Sequence, residues 1–346
     1  MSETRRFISL KKAKPPFFVG IDLGGTNTKV GVVDDLGRPL SWLSIATQPH
    51  KGPEDAAARM GRAVKAAVRK AGLNTSAIAR VGLGSPGTMD IPAGKLIQPV
   101  NLKGWEEFPI RDRVGDHCGL PMAFENDANA AAYGEFWIGA GRQYHSLVLF
   151  TLGTGIGCGI IIGDFIIDGD NSHGAECGHI VINPADDARL CGCGQPGHLE
   201  AYASATALIK RTQEALDVGR KSSLAARLAA GAELSPKLVG EEANKGDELS
   251  MEIIMETARY LGIGVVNLLH TIDPTIVLLG GAMTFGGDRT TLGRRFLARV
   301  KQEVDRRAFA LLAERIVIAY AMLGGDAGYI GAAGIARLKH LKGKPG

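Results

Sequence analysis

Short apolar runs punctuated by glycine open the ordered part of the sequence. "FFVGIDLG" from Phe17 reads as a buried strand, and "TKVGVVDDLG" from Thr28 as a second strand ending in a turn. The glycine pair between them predicts a hairpin. The design recurs: Phe18–Val33 aligns without gaps with Leu147–Ile162, "LVLFTLGTGIGCGIII", matching Leu23–Gly24 to Leu152–Gly153. Such a repeat predicts two similar α/β domains facing each other, with a ligand cleft between them. Helical stretches lie between. Residues 53–71 carry proline near the start, acids in the first turn and bases at the end, the order that helix chemistry favours. "SMEIIMETARYLGIGVVNLLHTIDP" predicts a long, largely buried helix stopped at Pro274, and "TIVLLGG" a buried strand after it. Residues 212–250 are polar and helix-like, an exposed excursion. Strands alternating with helices argue for α/β layers.

At 346 residues the chain exceeds one ordinary core, so two domains are expected. The formal net charge of +4 sits in the residues before Pro15, where Arg5, Arg6, Lys11, Lys12 and Lys14 face Glu3. The rest is neutral, which argues against a nucleic-acid footprint and leaves residues 1–16 as a disordered basic tail. The tail's "FISL" is too short for an export signal, and the longest uncharged run is broken by glycines. No membrane helix is expected, and the chain is expected in the cytoplasm. Five unevenly spaced cysteines make a poor disulfide framework.

Candidate chemistry gathers at the turns. "DLGGTNTK" puts Asp22 at a strand end, followed by Gly24, Gly25, Thr26, Asn27 and Lys29. "TLGTGIG" repeats the layout with Gly153, Thr154 and Gly155, but has Thr151 in place of the carboxylate. Glycine lets backbone N–H groups approach phosphate, and a hydroxyl can add to them. Neither string is a Walker loop or a dinucleotide fingerprint. With Gly280 and Gly281 in "LLGGAM", the set predicts nucleotide binding, with Asp22 near Mg²⁺. "AFENDANAAAYGEF" crowds Glu125, Asn126, Asp127 and Asn129 at the mouth of an alanine-rich helix. Asn126 or Asp127 caps that helix, or Asp127 faces a substrate. Cys191, Cys193 and His198, with His179 upstream, have zinc-like spacing.

These strings occur in order with "GLGSPGTMD", "NLKGW", "GAECGHI" and "CGCGQPGHLEAYAS". From about Phe17 to about Leu338 the sequence resembles the ROK sugar kinases (repressor, open reading frame, kinase), particularly bacterial ATP-dependent glucokinases. The resemblance implies a two-lobed actin-like, ribonuclease-H-like ATPase fold of duplicated α/β domains. Residues 17–125 with about 325–346 would form a small domain, and 126–324 a large one carrying the zinc loop. It implies Asp127 as the base for the C6 hydroxyl of D-glucose, with Ser85, Gly87, Asn101, Asn126, Glu176, His179 and Glu200 around the sugar. It also implies ATP with Mg²⁺ and a homodimer. Family members hold structural Zn²⁺ with one histidine and three cysteines. Here His198 replaces one cysteine, giving a Cys₂His₂ set. Other hexoses (N-acetylmannosamine, N-acetylglucosamine, mannose, allose, fructose), polyphosphate as donor, and a noncatalytic sugar sensor are the alternatives. A repressor would need a helix-turn-helix, for which the residues before the first strand are too few.

Overall fold

The computed structural model describes residues 7–99 and 102–343. Among the described residues twelve strands run in chain order: β1 (Phe17–Leu23), β2 (Asn27–Val33), β3 (Pro39–Ala46), β4 (Ile78–Ser85), β5 (Thr88–Asp90), β6 (Lys95–Gln98), β7 (Met122–Asn126), β8 (Ser146–Leu152), β9 (Ile156–Ile162), β10 (Phe165–Ile166), β11 (Ile276–Gly281) and β12 (Val317–Tyr320). β5 and β6 form a small antiparallel hairpin. The others build two five-stranded sheets, ordered β3-β2-β1-β4-β7 and β10-β9-β8-β11-β12.

The two sheets share one plan. β1 runs antiparallel to β2 and parallel to β4, which is parallel to β7. In the second sheet β8 is parallel to β11, and β11 to β12, while β10 is antiparallel to β9. The aligned segments found in the sequence are therefore β1–β2 and β8–β9. The parallel strands β1, β8 and β11 are buried almost throughout, which is why they read as unbroken apolar runs rather than as alternation.

The chain divides into two compact units. One takes in the chain up to Gln143, Gly159–Ala175 and the chain from Leu323; the other takes in Tyr144–Cys158 and Glu176–Met322. The helix Asp127–Trp137 falls in the first unit, where the sequence reading begins the second domain at Asn126.

Within the first unit the helix Ala327–Lys342 lies on β1 and β4 and against the helix Asp127–Trp137. Small residues make this possible. A Cβ at Gly20 would overlap the carbonyl of Tyr329, and one at Gly82 that of Ala332. The segment after the sheet therefore seats backbone against backbone.

The helices start and stop as the sequence chemistry predicts. Pro53–Lys70 begins on proline with Glu54 and Asp55 in its first turn, and ends on Arg69 and Lys70. Glu248–Ile272 starts at Asp247, whose carboxylate accepts from Ser250 N–H, and ends at left-handed Asp273 just before Pro274. Residues 212–250 are helical, but Thr212, Leu224 and Val239 are buried, so the excursion is not simply exposed.

The expectation of a disordered tail fails for residues 7–16. Ile8 N–H donates to Pro39 O, Asp35 N–H to Lys14 O, and Lys14 N–H to the fully buried carboxylate of Asp34. Asp34 also takes Arg38. Burial alone would raise its pKa, but these hydrogen bonds together hold it below the ordinary value. Residues 1–6 lie outside the described residues. No helix among the described residues is long and apolar enough to cross a membrane.

Candidate active site

In the first unit the carboxyl ends of three neighbouring strands carry the candidate residues. Strand register aligns Asp22 of β1 with Gly84 of β4, Gly84 with Glu125 of β7, and Ser85 with Asn126. The ends of parallel strands are where open α/β sheets bind ligands. Ser85 is buried, and its hydroxyl donates to Pro86 O at 3.3 Å. Gly87 follows with φ +92°; a side chain there would also press on Pro99. Asn101 lies outside the described residues.

Asn126 ends β7 in extended backbone and caps the helix Asp127–Trp137. Its Oδ1 accepts from Ala128 N–H (2.8 Å) and Asn129 N–H (3.2 Å). The capping question is thus answered for Asn126, whose Nδ2 stays available to donate. Asp127 is the first helical residue and half-buried, where the positive end of the helix favours a carboxylate.

Glu125, next in line, was not singled out for a role by its sequence context. It is 3% exposed and accepts from Asn126 N–H and Asn129 Nδ2, each at 3.0 Å. Burial pushes its carboxyl up to about 7, against the opposing pull of those two hydrogen bonds. The sequence offered only a carboxylate and an amide four residues apart across the junction of β7 and the helix. What could not be read was the burial.

The β1–β2 turn is closed locally. Gly24 N–H donates to Asn27 O at 3.1 Å, while Gly25 and Thr26 are exposed. Lys29 donates to Asp22 Oδ2 (3.1 Å) and to Gly325 O (2.9 Å). Asp22 also faces the first turn of the helix Ala327–Lys342, at a distance that leaves no room for a side chain on Gly328. One Asp22 oxygen is thus held by Lys29.

In the second unit the β8–β9 turn holds Gly153, Thr154 and Gly155. Gly153 N–H donates to Gly155 O, and β11 lies alongside, with Gly280 opposite Thr151 and Gly281 opposite Leu152. Gly281 has φ +89° and sits against the backbone of Leu152, so glycine is required there. These five residues therefore share one end of the sheet. Glu200, placed at the sugar by the sequence reading, sends Oε2 to Ile156 N–H at 2.8 Å. A carboxylate can accept several bonds, so this partner leaves Oε1 able to accept more.

Glu176 and His179 flank one 3₁₀ turn, His179 N–H donating to Glu176 O, with Oε2 of Glu176 4.0 Å from His179 Nε2. The other ring nitrogen, Nδ1, faces Cys191 Sγ at 3.8 Å, and Cys193 Sγ lies 3.2 Å from His198 Nδ1. One donor atom from each of His179, Cys191, Cys193 and His198 falls within 4.8 Å of all the others. Zinc–sulfur and zinc–nitrogen bonds of about 2.3 and 2.0 Å set tetrahedral edges of roughly 3.3–3.8 Å. The set needs only a small contraction to take the ion, so the residues fit Zn²⁺. Burial, then neighbouring His179, pushes His198 below its ordinary pKa, favouring the neutral ring that binds metal. Burial pushes Cys191 up to about 11, so its proton stays until a cation displaces it.

Known proteins resemble the chain over most of its length. The chain is 32% identical over 315 residues to a glucokinase of Halalkalibacterium halodurans, covering 91% of this chain and 93% of that protein. A crystal structure of a ROK hexokinase from Thermus thermophilus superposes with a TM-score of 0.80 at 31% identity, over 94% of this chain and 100% of that one. A ROK family glucokinase from Streptomyces griseus, in complex with glucose and AMPPNP, gives 0.73 at 34% identity, over 93% and 99%. Both sheets thus belong to the two-domain actin-like ATPase fold. With residues 18–339 matching the family across nearly the whole chain, the protein belongs to the ROK family.

Proposed function

We propose that this ROK protein transfers the γ-phosphoryl group of ATP to the C6 hydroxyl of D-glucose, giving glucose 6-phosphate and ADP. The observation that carries the reading is Asp127 at the first position of a helix capped by Asn126, at the carboxyl end of β7 beside Ser85. Likeness to the glucokinase of Halalkalibacterium halodurans and to the Streptomyces griseus enzyme crystallised with glucose and AMPPNP supports the substrate pair.

Asp127 accepts the C6 proton. A carboxylate at a helix start is a weak base, which suffices when phosphoryl transfer is loose and the proton leaves late. Asn126 uses Oδ1 on the helix and Nδ2 on a neighbouring sugar hydroxyl. Glu176 and Glu200 accept from further hydroxyls, His179 donates to one from Nε2–H, and Asn101 and the backbone at Ser85–Gly87 complete the contacts to the sugar. A polyol offers both donors and acceptors to match this set. Gly24, Gly25, Thr26 and Asn27 at the β1–β2 turn, and Gly153, Thr154 and Gly155 at the β8–β9 turn with Gly280 and Gly281, offer N–H groups to the phosphates. Asp22, steadied by Lys29, would hold Mg²⁺, which neutralises phosphate charge when bound. Structural Zn²⁺ would be held by His179, Cys191, Cys193 and His198, leaving Nε2 of His179 for the sugar. A homodimer in the cytoplasm completes the reading.

A coupled ADP-release assay with Mg-ATP across a hexose panel tests it. Turnover is expected on glucose, falling about 10²–10⁴-fold in Asp127→Asn. Turnover confined to an N-acyl hexose would move the substrate and keep the mechanism. Nucleotide binding without turnover on any sugar would replace the kinase with a sugar sensor.

A further inference from the structure

The segment that follows the metal loop grips the β8–β9 turn along its whole length. Glu200 Oε2 accepts from Ile156 N–H at 2.8 Å. Ala205 N–H donates to Gly153 O at 2.9 Å, and Thr206 Oγ1 to Thr154 O at 2.8 Å. Gly155 leaves room for the Glu200 carboxylate, which a Cβ would overlap. Every residue of the turn therefore either bonds residues 200–206 or is shaped to admit them. At its other side the same carboxylate touches the donor cluster: Oε1 lies 3.6 Å from Cys191 Sγ, and Gly192 passes 3.9 Å from it at its Cβ position. One carboxylate thus bridges the loop that carries three of the four metal donors and the turn whose N–H groups are proposed to meet phosphate.

We propose that Glu200 is a positioning residue that couples the two, so that metal held by His179, Cys191, Cys193 and His198 fixes the β8–β9 turn for nucleotide. The loop Cys191–His198 is closed by Cys191 N–H to Gln195 O and Gly194 N–H to Cys191 O, and anchored at its end by Gly197 N–H to Arg189 O, by Ile182 and Asn183 N–H to Gly197 O and by Ala201 N–H to His198 O. Metal on His198, two residues before Glu200, would fix the start of the segment that bonds the turn, and through Glu200 the position of Ile156 N–H. Binding at either place restricts the same carboxylate, and such coupling must be reciprocal. The inference rests on the turn being a phosphate site, as in the proposed function.

Calorimetric titration with Mg-ADP, on zinc-loaded and chelator-stripped protein, reads it directly. Stripping is expected to weaken ADP binding about tenfold, and saturating Mg-ADP to tighten zinc against a competing chelator dye by the same factor. In Glu200→Ala both ratios fall to about one. Glu200→Gln, which keeps an acceptor for Ile156 N–H, retains most of the ratio, an outcome that mere loss of stability would not give. Should Glu200→Ala not fold, Gly155→Ala displaces the carboxylate while leaving the four donors in place, and the ratio falls likewise. An unchanged ratio in both variants, or a ratio of one in the parent protein, overturns the coupling while leaving the nucleotide site standing. Failure of the loaded parent to bind Mg-ADP at all overturns both.

Discussion

The β1–β2 and β8–β9 turns occupy the same place in two sheets of one plan, yet they are furnished differently. The first carries its own carboxylate, Asp22, paired with Lys29 on the next strand. The second has Thr151 at that position and takes its carboxylate from Glu200, far along the chain. A duplicated backbone preserves where N–H groups can point. It does not preserve where charge comes from. The first turn is self-contained, whereas the second takes its carboxylate from the segment that follows Cys191–His198.

Exchanging side chains at the matched positions tests that contrast most severely. Asp22→Asn should cost about 10²–10³ in kcat, the scale for removing one preorganised electrostatic group from a reacting centre. Thr151→Val, at the topologically equivalent place, should cost less than about threefold on the same scale. The coupled assay gives both numbers. Equal losses would mean the two turns share one role and the asymmetry is decoration.

A smaller effect separates the units by pH. Glu125 titrates near 7 when folded, against about 4.3 in an unfolded chain. Its pKa is raised, so between those values the folded state holds a proton that the unfolded state has released. Stability contributed by the neutral form is present below about pH 4 and is lost as pH rises toward 7. The shift corresponds to about 4 kcal/mol at 1.36 kcal/mol per unit. Glu125→Gln keeps an acceptor for Asn126 N–H and Asn129 Nδ2 but has nothing to ionise. Urea unfolding at pH 5 and pH 8 should show the parent losing most of that difference and the variant not. Equal slopes in the two proteins would show that Glu125 is solvated when folded.

What was legible in the sequence follows the same division. Hairpins, the repeat and the helix ends depend on neighbours a few residues away, and apolar runs with Gly, Pro and Asp at fixed offsets encode them. The four donors His179, Cys191, Cys193 and His198 lie close together in the chain, so their convergence could be read from spacing. The bond from Ile156 to Glu200, the docking of residues 7–14 on β3 and Asp34, and the burial of Glu125 depend on packing between distant segments. Nothing local marks them: a carboxylate in "FEND" looks as solvated as any other until the helix Ala327–Lys342 covers its sheet.

Helix caps give the finest comparison, because capping is local in both units. Asn126 caps Asp127–Trp137 in the first unit, and Ser204 Oγ accepts from Ala207 N–H at the start of Ala205–Asp217 in the second. Alanine at either position should cost about 1 kcal/mol of stability, the ordinary value for a lost cap. Their kinetics should differ. Asn126→Ser keeps a capping oxygen and removes Nδ2, so it should unfold like the parent yet raise the KM for glucose by about 5- to 20-fold, the loss of one hydrogen bond to substrate. Ser204→Asn exchanges one good cap for another and should leave KM unchanged. A glucose KM untouched in Asn126→Ser would reduce Asn126 to a cap alone. The proposed part of that helix start in sugar phosphorylation would then rest on Asp127 alone.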